Sequence, residues 1–199
     1  AGTAYAPNGT VAIDYYTEFD TSRTTVDFVL GTGTTDVIGK NELVISTIQD
    51  SILTGSVVDE ILVLASPEWF NKYVNQAKVA DAYKFYSSTQ EPNRNRLGRG
   101  LYREFVHAGL RIKEYRGSYN GVRLIPAGEA YALPMGIDDM FETYFGPCGK
   151  FQFLNTVGES AYMFEYNDPK DEQIELYSES NFLNVIRRPQ SVVKLISSN

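Results

Sequence analysis

The sequence predicts an α+β fold with mostly antiparallel strands. Three observations carry this. Short β-rich runs recur along the chain with hairpin-length links between them, which antiparallel pairing permits and parallel pairing does not. Two stretches carry apolar residues at helical spacing, Val37–Leu53 and Trp69–Tyr86. Between them lies one continuous apolar run, Glu60–Ala65 (EILVLA), which reads as a strand buried on both faces.

In chain order, residues 11–19 (VAIDYYTEF) and 25–30 (TVDFVL) are rich in Val, Ile, Tyr, Phe and Thr and read as strands. The polar link Asp20–Arg23 suits a hairpin between them. Gly31-Thr-Gly-Thr-Thr-Asp36 breaks the second strand. Thr35 or Asp36 can cap the helix that follows, because a short oxygen-bearing side chain there accepts one of the unpaired amides of the first turn. Val37, Val44, Ile45, Ile48 and Ile52 give that helix one buried face, and Gly55 is its natural stop. Ser66-Pro67-Glu68 is a second helix start: a capping hydroxyl, a proline whose missing N–H costs nothing in the first turn, and an acid favoured by the helix dipole.

Ser87–Gly100 carries no periodicity and reads as a long loop. Strands follow near 102–106 and 110–115, and Asn120-Gly121 marks a tight hairpin into 122–125. Pro126-Ala-Gly128 and Pro134-Met-Gly136 punctuate the next segment. Asp138–Tyr144 is expected to be a short helix with Met140, Phe141 and Tyr144 inward. The tail predicts strands at 161–166, 174–177, 185–187 and 192–196.

Composition closes several function classes. The 199 residues carry 18 Lys and Arg, 25 Asp and Glu and a net charge of -7, which argues against holding nucleic acid by charge alone. The single cysteine, Cys148, builds neither an internal disulfide nor a thiolate zinc site. The single histidine, His107, excludes an internal two-His metal motif. No basic start leads into an apolar run, and the most apolar stretch, Ile61–Ala65, is far too short to cross a bilayer; a soluble protein is expected.

The chemical motifs are incomplete. Gly31-x-Gly33 lies between a strand and a helix, but five residues separate Gly33 from Gly39-Lys40 and Asn41 follows, so the Walker loop fails; Asp36 stands where a dinucleotide fingerprint needs its third glycine. The acids Asp59-Glu60, Asp138-Asp139-Glu142 and Asp168–Glu172 could support glycoside hydrolysis or a hard metal. The helix start expected at Asp138 and a solvated turn at 168–172 explain them without chemistry. His107 has no acid partner in its neighbourhood of sequence and reads as a packed or surface histidine. Cys148 reads as a loop thiol. Arg94, Arg96, Arg99 and Arg103, interleaved with Tyr102 and Phe105, are the one basic concentration. They could stack and pair with a single strand of nucleic acid, but the acidic total favours salt bridges to a neighbouring acidic surface.

From the long loop onward the sequence resembles the major capsid protein E family of lambda-like tailed phages. The likeness runs through Phe105-Val-His-Ala-Gly109, Ile112-Lys-Glu-Tyr-Arg-Gly117, Ile125-Pro-Ala-Gly-Glu-Ala130, Leu133-Pro-Met-Gly136, Met140-Phe-Glu-Thr-Tyr-Phe145-Gly-Pro, Arg188-Pro189 and Val192-Val-Lys-Leu195. Upstream, Thr17-Glu-Phe19, Val26-Asp-Phe28, Asp59-Glu60 and Ser66-Pro67-Glu68-x-Phe70 fit the same pattern. The resemblance implies the capsid fold of tailed phages and herpesviruses. In that fold a peripheral domain with a spine helix, here Val37–Leu53, would take residues 1–57, an axial domain 58–170, and returning peripheral strands 171–199. The family's N-terminal arm and extended loop have no counterpart here, so the chain is expected to be part of a longer subunit.

The implied function is a major head protein of a phage or prophage, self-assembling into pentamers and hexamers of an icosahedral shell. That shell encloses DNA without specific binding, with scaffolding and decoration proteins as further partners. Its place is the virion, and the bacterial host cytoplasm during assembly. The resemblance implies no catalytic residue, cofactor or metal. Two readings of other classes stand beside it: a carboxylate-dependent hydrolase using Asp138, Asp139 and Glu142, and a nucleic-acid module centred on the arginine loop and Tyr102.

Overall fold

The computed structural model describes residues 3–5, 10–52, 58–89, 103–119, 121–138, 140–167 and 174–199. In chain order the elements are β1 (Thr3–Tyr5), β2 (Val11–Asp14), α1 (Tyr15–Glu18), β3 (Thr25–Asp27), α2 (Val37–Ser51), β4 (Glu60–Ala65), α3 (Pro67–Asn75) and α4 (Ala77–Thr89). Then come β5 (Glu104–His107), β6 (Leu110–Glu114), β7 (Ser118–Tyr119), β8 (Val122–Arg123), β9 (Glu129–Met135), β10 (Phe141–Gly146), β11 (Tyr162–Asn167), β12 (Ile174–Glu179), β13 (Asn181–Ile186) and β14 (Val193–Ile196). They sort into two compact units, Tyr16–Ile137 with Arg188–Asn199, and Gly2–Tyr15 with Asp138–Arg187.

The first unit is built on a six-stranded sheet of order β3-β14-β9-β4-β6-β5. Three of its five pairings involve β4 or β9. β4 runs parallel to β6 and antiparallel to β9, while β14 runs antiparallel to β9 and parallel to β3. The apolar continuity of β4 follows from this central place: Ile61, Val63 and Ala65 are fully buried and Leu62 and Leu64 half-buried. The core joins these residues to Phe28, to Val44 and Ile48 of α2, to Trp69, Phe70 and Tyr73 of α3, and to Phe105 and Ile112 of the β5–β6 hairpin. Each such side chain taken out of water contributes about 1.5–3 kcal/mol.

Both helix starts form as the sequence requires. Asp36 accepts from the Gly39 amide at 3.3 Å, and Ser66 accepts from the Trp69 amide with Pro67 in the first turn. The Gly31–Gly33 turn thus leads into a helix N-terminus already served by its own aspartate. Gly55 lies outside the described residues.

Several expectations are corrected. Residues 11–19 do not form one strand: β2 stops at Asp14 and Tyr15–Glu18 turns helical. Nor do 11–19 and 25–30 pair as a hairpin. β2 pairs with β1, whereas β3 joins the last strand, β14, in parallel; the alternation that suggested two strands says nothing of which partner each one takes. α4 continues to Thr89, past the loop start expected at Ser87, and the rest of that expected loop, residues 90–100, lies outside the described residues. A strand falls on the punctuated segment 126–136: β9 sits at the centre of the sheet and carries Pro134 near its end, opposite Ile61. The helix expected at Asp138–Tyr144 is absent. Phe141–Gly146 is β10, paired residue for residue with β13, and Phe141 and Tyr144 are exposed while Met140 is buried. The spacing of Met140, Phe141 and Tyr144 suits a helix, but Phe-Glu-Thr-Tyr-Phe is β-favouring and the pairing forty residues downstream decides it.

The second unit consists of three two-stranded antiparallel ladders, β1–β2, β10–β13 and β11–β12. Its buried apolar residues among those described are Tyr15, Met140, Cys148 and Tyr162. An isolated two-stranded ribbon is marginal in water, so this unit carries far less core per strand than the first.

Candidate interaction surface

The β11–β12 ribbon has two chemically different faces. Residues directly opposite each other share a face, so Tyr162 and Glu179, Phe164 and Tyr177, and Tyr166 and Glu175 lie together. This face is covered in part from within the unit, at Tyr162 and Phe164, while Tyr166 and Tyr177 stay exposed. Phe153, in a 3-10 turn at Phe151–Phe153, meets the edges of Tyr162 and Phe164 at 5.1 and 5.7 Å between ring centroids. The Lys150 ammonium stands 3.4 Å from the Phe164 ring centre and 4.5 Å from that of Tyr166, and donates to the Tyr166 hydroxyl. A cation against a ring face is attracted by its negative quadrupole.

The opposite face pairs Met163 with Ser178, Glu165 with Leu176 and Asn167 with Ile174. Met163 is 78% exposed, Leu176 69% and Ile174 63%. These three exposed apolar side chains, set among Glu165 and Ser178, form a patch on which another molecule can dock.

At the base of this ribbon Glu179 accepts four hydrogen bonds: from the Gly149 amide at 2.9 Å, the Cys148 thiol at 3.1 Å, the Asn181 amide at 2.8 Å and the Tyr177 hydroxyl at 3.3 Å. The Gly149 amide and then the thiol and Asn181 hold its carboxyl at about 2. Burial, and then the bond to Glu179, push the Cys148 thiol up. Cys148 is therefore a packed hydrogen-bond donor rather than a nucleophile.

The first unit presents a second two-faced hairpin. In β7–β8, Tyr119 stands opposite Val122 and Ser118 opposite Arg123. Tyr119, Val122 and, two residues on, Leu124 are 72%, 71% and 58% exposed. On the other side Arg123 pairs with Glu68 at 2.5 Å.

The basic concentration divides. Arg94, Arg96, Arg99 and Tyr102 lie outside the described residues. Arg103 is engaged within the chain: its Nε donates to Glu114 at 2.6 Å, its Nη2 donates to Asn71 at 2.8 Å, and its guanidinium lies 4.8 Å from the Phe70 ring centre. Glu114 is almost wholly buried and also accepts from Arg116 at 2.5 Å. Burial raises its carboxyl, but the hydrogen bonds from the two arginines outweigh that and hold it below the usual range. Sequence reading missed Glu114. Its one signal was an acid at an apolar position of the β6 alternation, between Arg103 and Arg116.

His107 is half-buried beside Phe105, with rings stacked at 5.4 Å, and its Nδ1 lies 2.9 Å from the Tyr73 hydroxyl. Among the described residues the candidate carboxylates do not gather. Glu142 pairs with Arg187 at 2.8 Å and accepts from Tyr144, Asp138 is exposed, and Asp139 and Asp168–Glu172 lie outside the described residues. Glu60 pairs with Arg111 at 3.2 Å. Among the described residues no three acids, histidines or cysteines converge as metal ligands, and no helix is long and apolar enough to cross a membrane.

The major capsid protein of Pseudomonas phage KPP10 is 44% identical over 208 residues, covering 97% of this chain and 59% of that protein. The major capsid protein of Salmonella phage Felix O1 (isolate Felix O1-VT1) is 26% identical over 220 residues, covering 96% and 60% respectively. The chain thus spans about three fifths of the length of the curated relatives it matches. Among solved structures, a satellite phage P4 procapsid including size determination (Sid) protein aligns with a TM-score of 0.37 at 10% identity, over 85% of this chain and 43% of that one. A phage-related protein from Bordetella bronchiseptica RB50 aligns at 0.43 and 11%, over 89% and 57%. Neither superposition is close enough to carry an argument. The family description "Phage major capsid protein E" matches residues 1–197, and on that match, which leaves two of 199 residues outside it, the chain belongs to the phage major capsid protein E family.

Proposed function

We propose that the chain is the shell-forming part of a major head protein of a tailed phage or prophage, working by repeated self-contact and not by catalysis. The observation that carries this is the family match across the chain together with 44% identity to a phage major capsid protein. The surface agrees with the reading. The second unit buries four apolar residues among those described, yet exposes Phe151, Val157, Met163 and Leu176 by more than two thirds each, an economy that suits a chain completed by its neighbours. The net charge of -7 suits a wall that lies beside DNA without gripping it.

In this reading pentamers and hexamers close the shell, and scaffolding or decoration proteins act on it from either side. α2 is the spine helix, residues 1–57 and 171–199 supply the peripheral domain, and 58–170 the axial domain. The virion is the chain's place, after assembly in the bacterial host cytoplasm. The hydrolase reading has no comparable support, since Glu142 is neutralised by Arg187 and Asp138 faces water.

Sedimentation velocity of the purified chain across a concentration series tests the proposal. Discrete oligomers of five, six or more copies that grow with concentration are expected; a monomer at every concentration would contradict it.

A further inference from the structure

Residues 147–153, which lead from β10 toward β11, are fixed to the β11–β12 ribbon at one position after another. The Pro147 carbonyl accepts from the Asn181 side chain at 2.9 Å, just past the end of β12. The Cys148 thiol and the Gly149 amide donate to Glu179. The Lys150 ammonium stands 3.4, 4.5 and 5.0 Å from the ring centres of Phe164, Tyr166 and Tyr177. Phe153 then closes the run against Tyr162 and Phe164. Of these contacts, that of Lys150 spans both strands, with Phe164 and Tyr166 on β11 and Tyr177 on β12. Every partner lies in the second unit, whose described buried apolar residues are four.

We propose that residues 147–153 form a strap that lifts from the ribbon as a unit, with Lys150 as its latch, and that lifting uncovers Cys148, Tyr162 and Phe164 while the first unit stays folded. Cys148 and Tyr162 are buried when the strap is closed. A segment held to so small a core opens at lower cost than the whole chain unfolds. The hydrogen bonds at Glu179 and Asn181 are exchanged for bonds to water on lifting, so each holds the strap only weakly. Lys150 instead ties the strap to both strands at once, and a cation partly withdrawn from water is attracted to ring faces more strongly than an exposed one. The strap thus sets how much aromatic surface the second unit offers to a neighbour. It concerns a single chain and stands whether or not copies assemble.

Alkylation of the full chain by iodoacetamide at pH 8, followed by mass spectrometry, tests the strap, because Cys148 is the single thiol. When reclosing is fast, a buried thiol reacts at the rate of a free one multiplied by the open fraction. Lys150→Met keeps an apolar stem without the charge and is expected to speed alkylation about tenfold. Losing the ammonium also removes a charge that favours the thiolate, which by itself slows the reaction, so a faster one reports opening. Lys150→Arg keeps a cation on the rings and should stay within about twofold of the native rate. Gly136→Ala, in the first unit, should lower the thermal midpoint and leave alkylation unchanged. A native rate in Lys150→Met, or equal acceleration by Lys150→Met and Gly136→Ala, overturns the strap. Acceleration in a Lys150→Met chain that has lost its cooperative melt overturns it too, since the opening is then global.

Discussion

The hydroxyl of Tyr73 sits 2.9 Å from Nδ1 of His107 and 2.8 Å from the amide nitrogen of Asn41. Asn41 Nδ2 can only donate, so the Tyr73 oxygen accepts there and gives its own proton to His107. That fixes His107 as the tautomer protonated on Nε2. Asn41 Nδ2 also donates to the His107 carbonyl at 3.3 Å, so α2, α3 and β5 are joined through one polar knot inside an aromatic core.

Burial lowers the His107 pKa, and the bond accepted from Tyr73 is lost when Nδ1 takes a proton. A group whose folded pKa lies below its unfolded value near 6.5 favours folding fully above that value. Stability is therefore expected to fall as the pH drops from about 6.5 toward the lower folded pKa. His107→Asn, whose side-chain oxygen can stand near the Nδ1 position, should flatten this part of the profile. Tyr73→Phe should cost about 1–3 kcal/mol, because Nδ1 of the half-buried His107 loses its donor and the buried Asn41 amide keeps only its bond to the His107 carbonyl. Urea denaturation between pH 5 and 8 measures both.

Glu114 makes the opposite case. Its folded carboxyl lies below the ordinary value, so its contribution is present above the unfolded pKa of about 4.3 and is lost as the pH falls through the folded one. Glu114→Gln keeps the shape and is expected to cost about 1–3 kcal/mol. Replacing both Arg103 and Arg116 by Ala should cost more, about 3–5 kcal/mol, because a buried carboxylate is then left without a cation. Chemical denaturation at pH 7 ranks the two variants.

Gly136 follows β9 with φ of +84°. A methyl group added there would run into the Asp59 carboxylate, and the backbone would hold an L residue in the left-handed region. Gly136→Ala should lower stability by about 1–2 kcal/mol, read as a fall of several degrees in the thermal midpoint.

Cys148 should react slowly with thiol reagents at pH 8 in the native chain, since the thiolate is the reactive form and both burial and Glu179 disfavour it. Glu179→Gln removes the neighbouring charge and is expected to speed the reaction by several-fold. Equal rates in both would show that the Glu179 contact does not control the thiol.

What the sequence disclosed was local. Asp36 and Ser66-Pro67-Glu68 start helices because the unpaired amides of a first turn need an acceptor, and four or five neighbouring residues decide the matter. The strands β5 and β6 were legible locally as well, from the β-favouring residues each carries, though their pairing was not. β9 was hidden by Pro134, which discourages a strand reading although a proline near a strand's end forfeits only one ladder bond. β10 was misread because Phe141–Tyr144 satisfies a helical spacing as well as a strand, and only the register with Asn181–Ile186 separates them. The apolar residues of β11 and β12 were visible, but not which of them Phe153 and Lys150 would cover. That division, which leaves Met163 and Leu176 open, depends on contacts no local pattern encodes.

We propose that copies of this chain build a shell. Electron microscopy of the particles formed when its gene is expressed in a bacterial host tests it most directly. Closed shells or five- and six-membered rings, with subunit density that accepts both compact units, are the predicted result; a dispersed monomer with no ring or shell at any expression level would contradict the account.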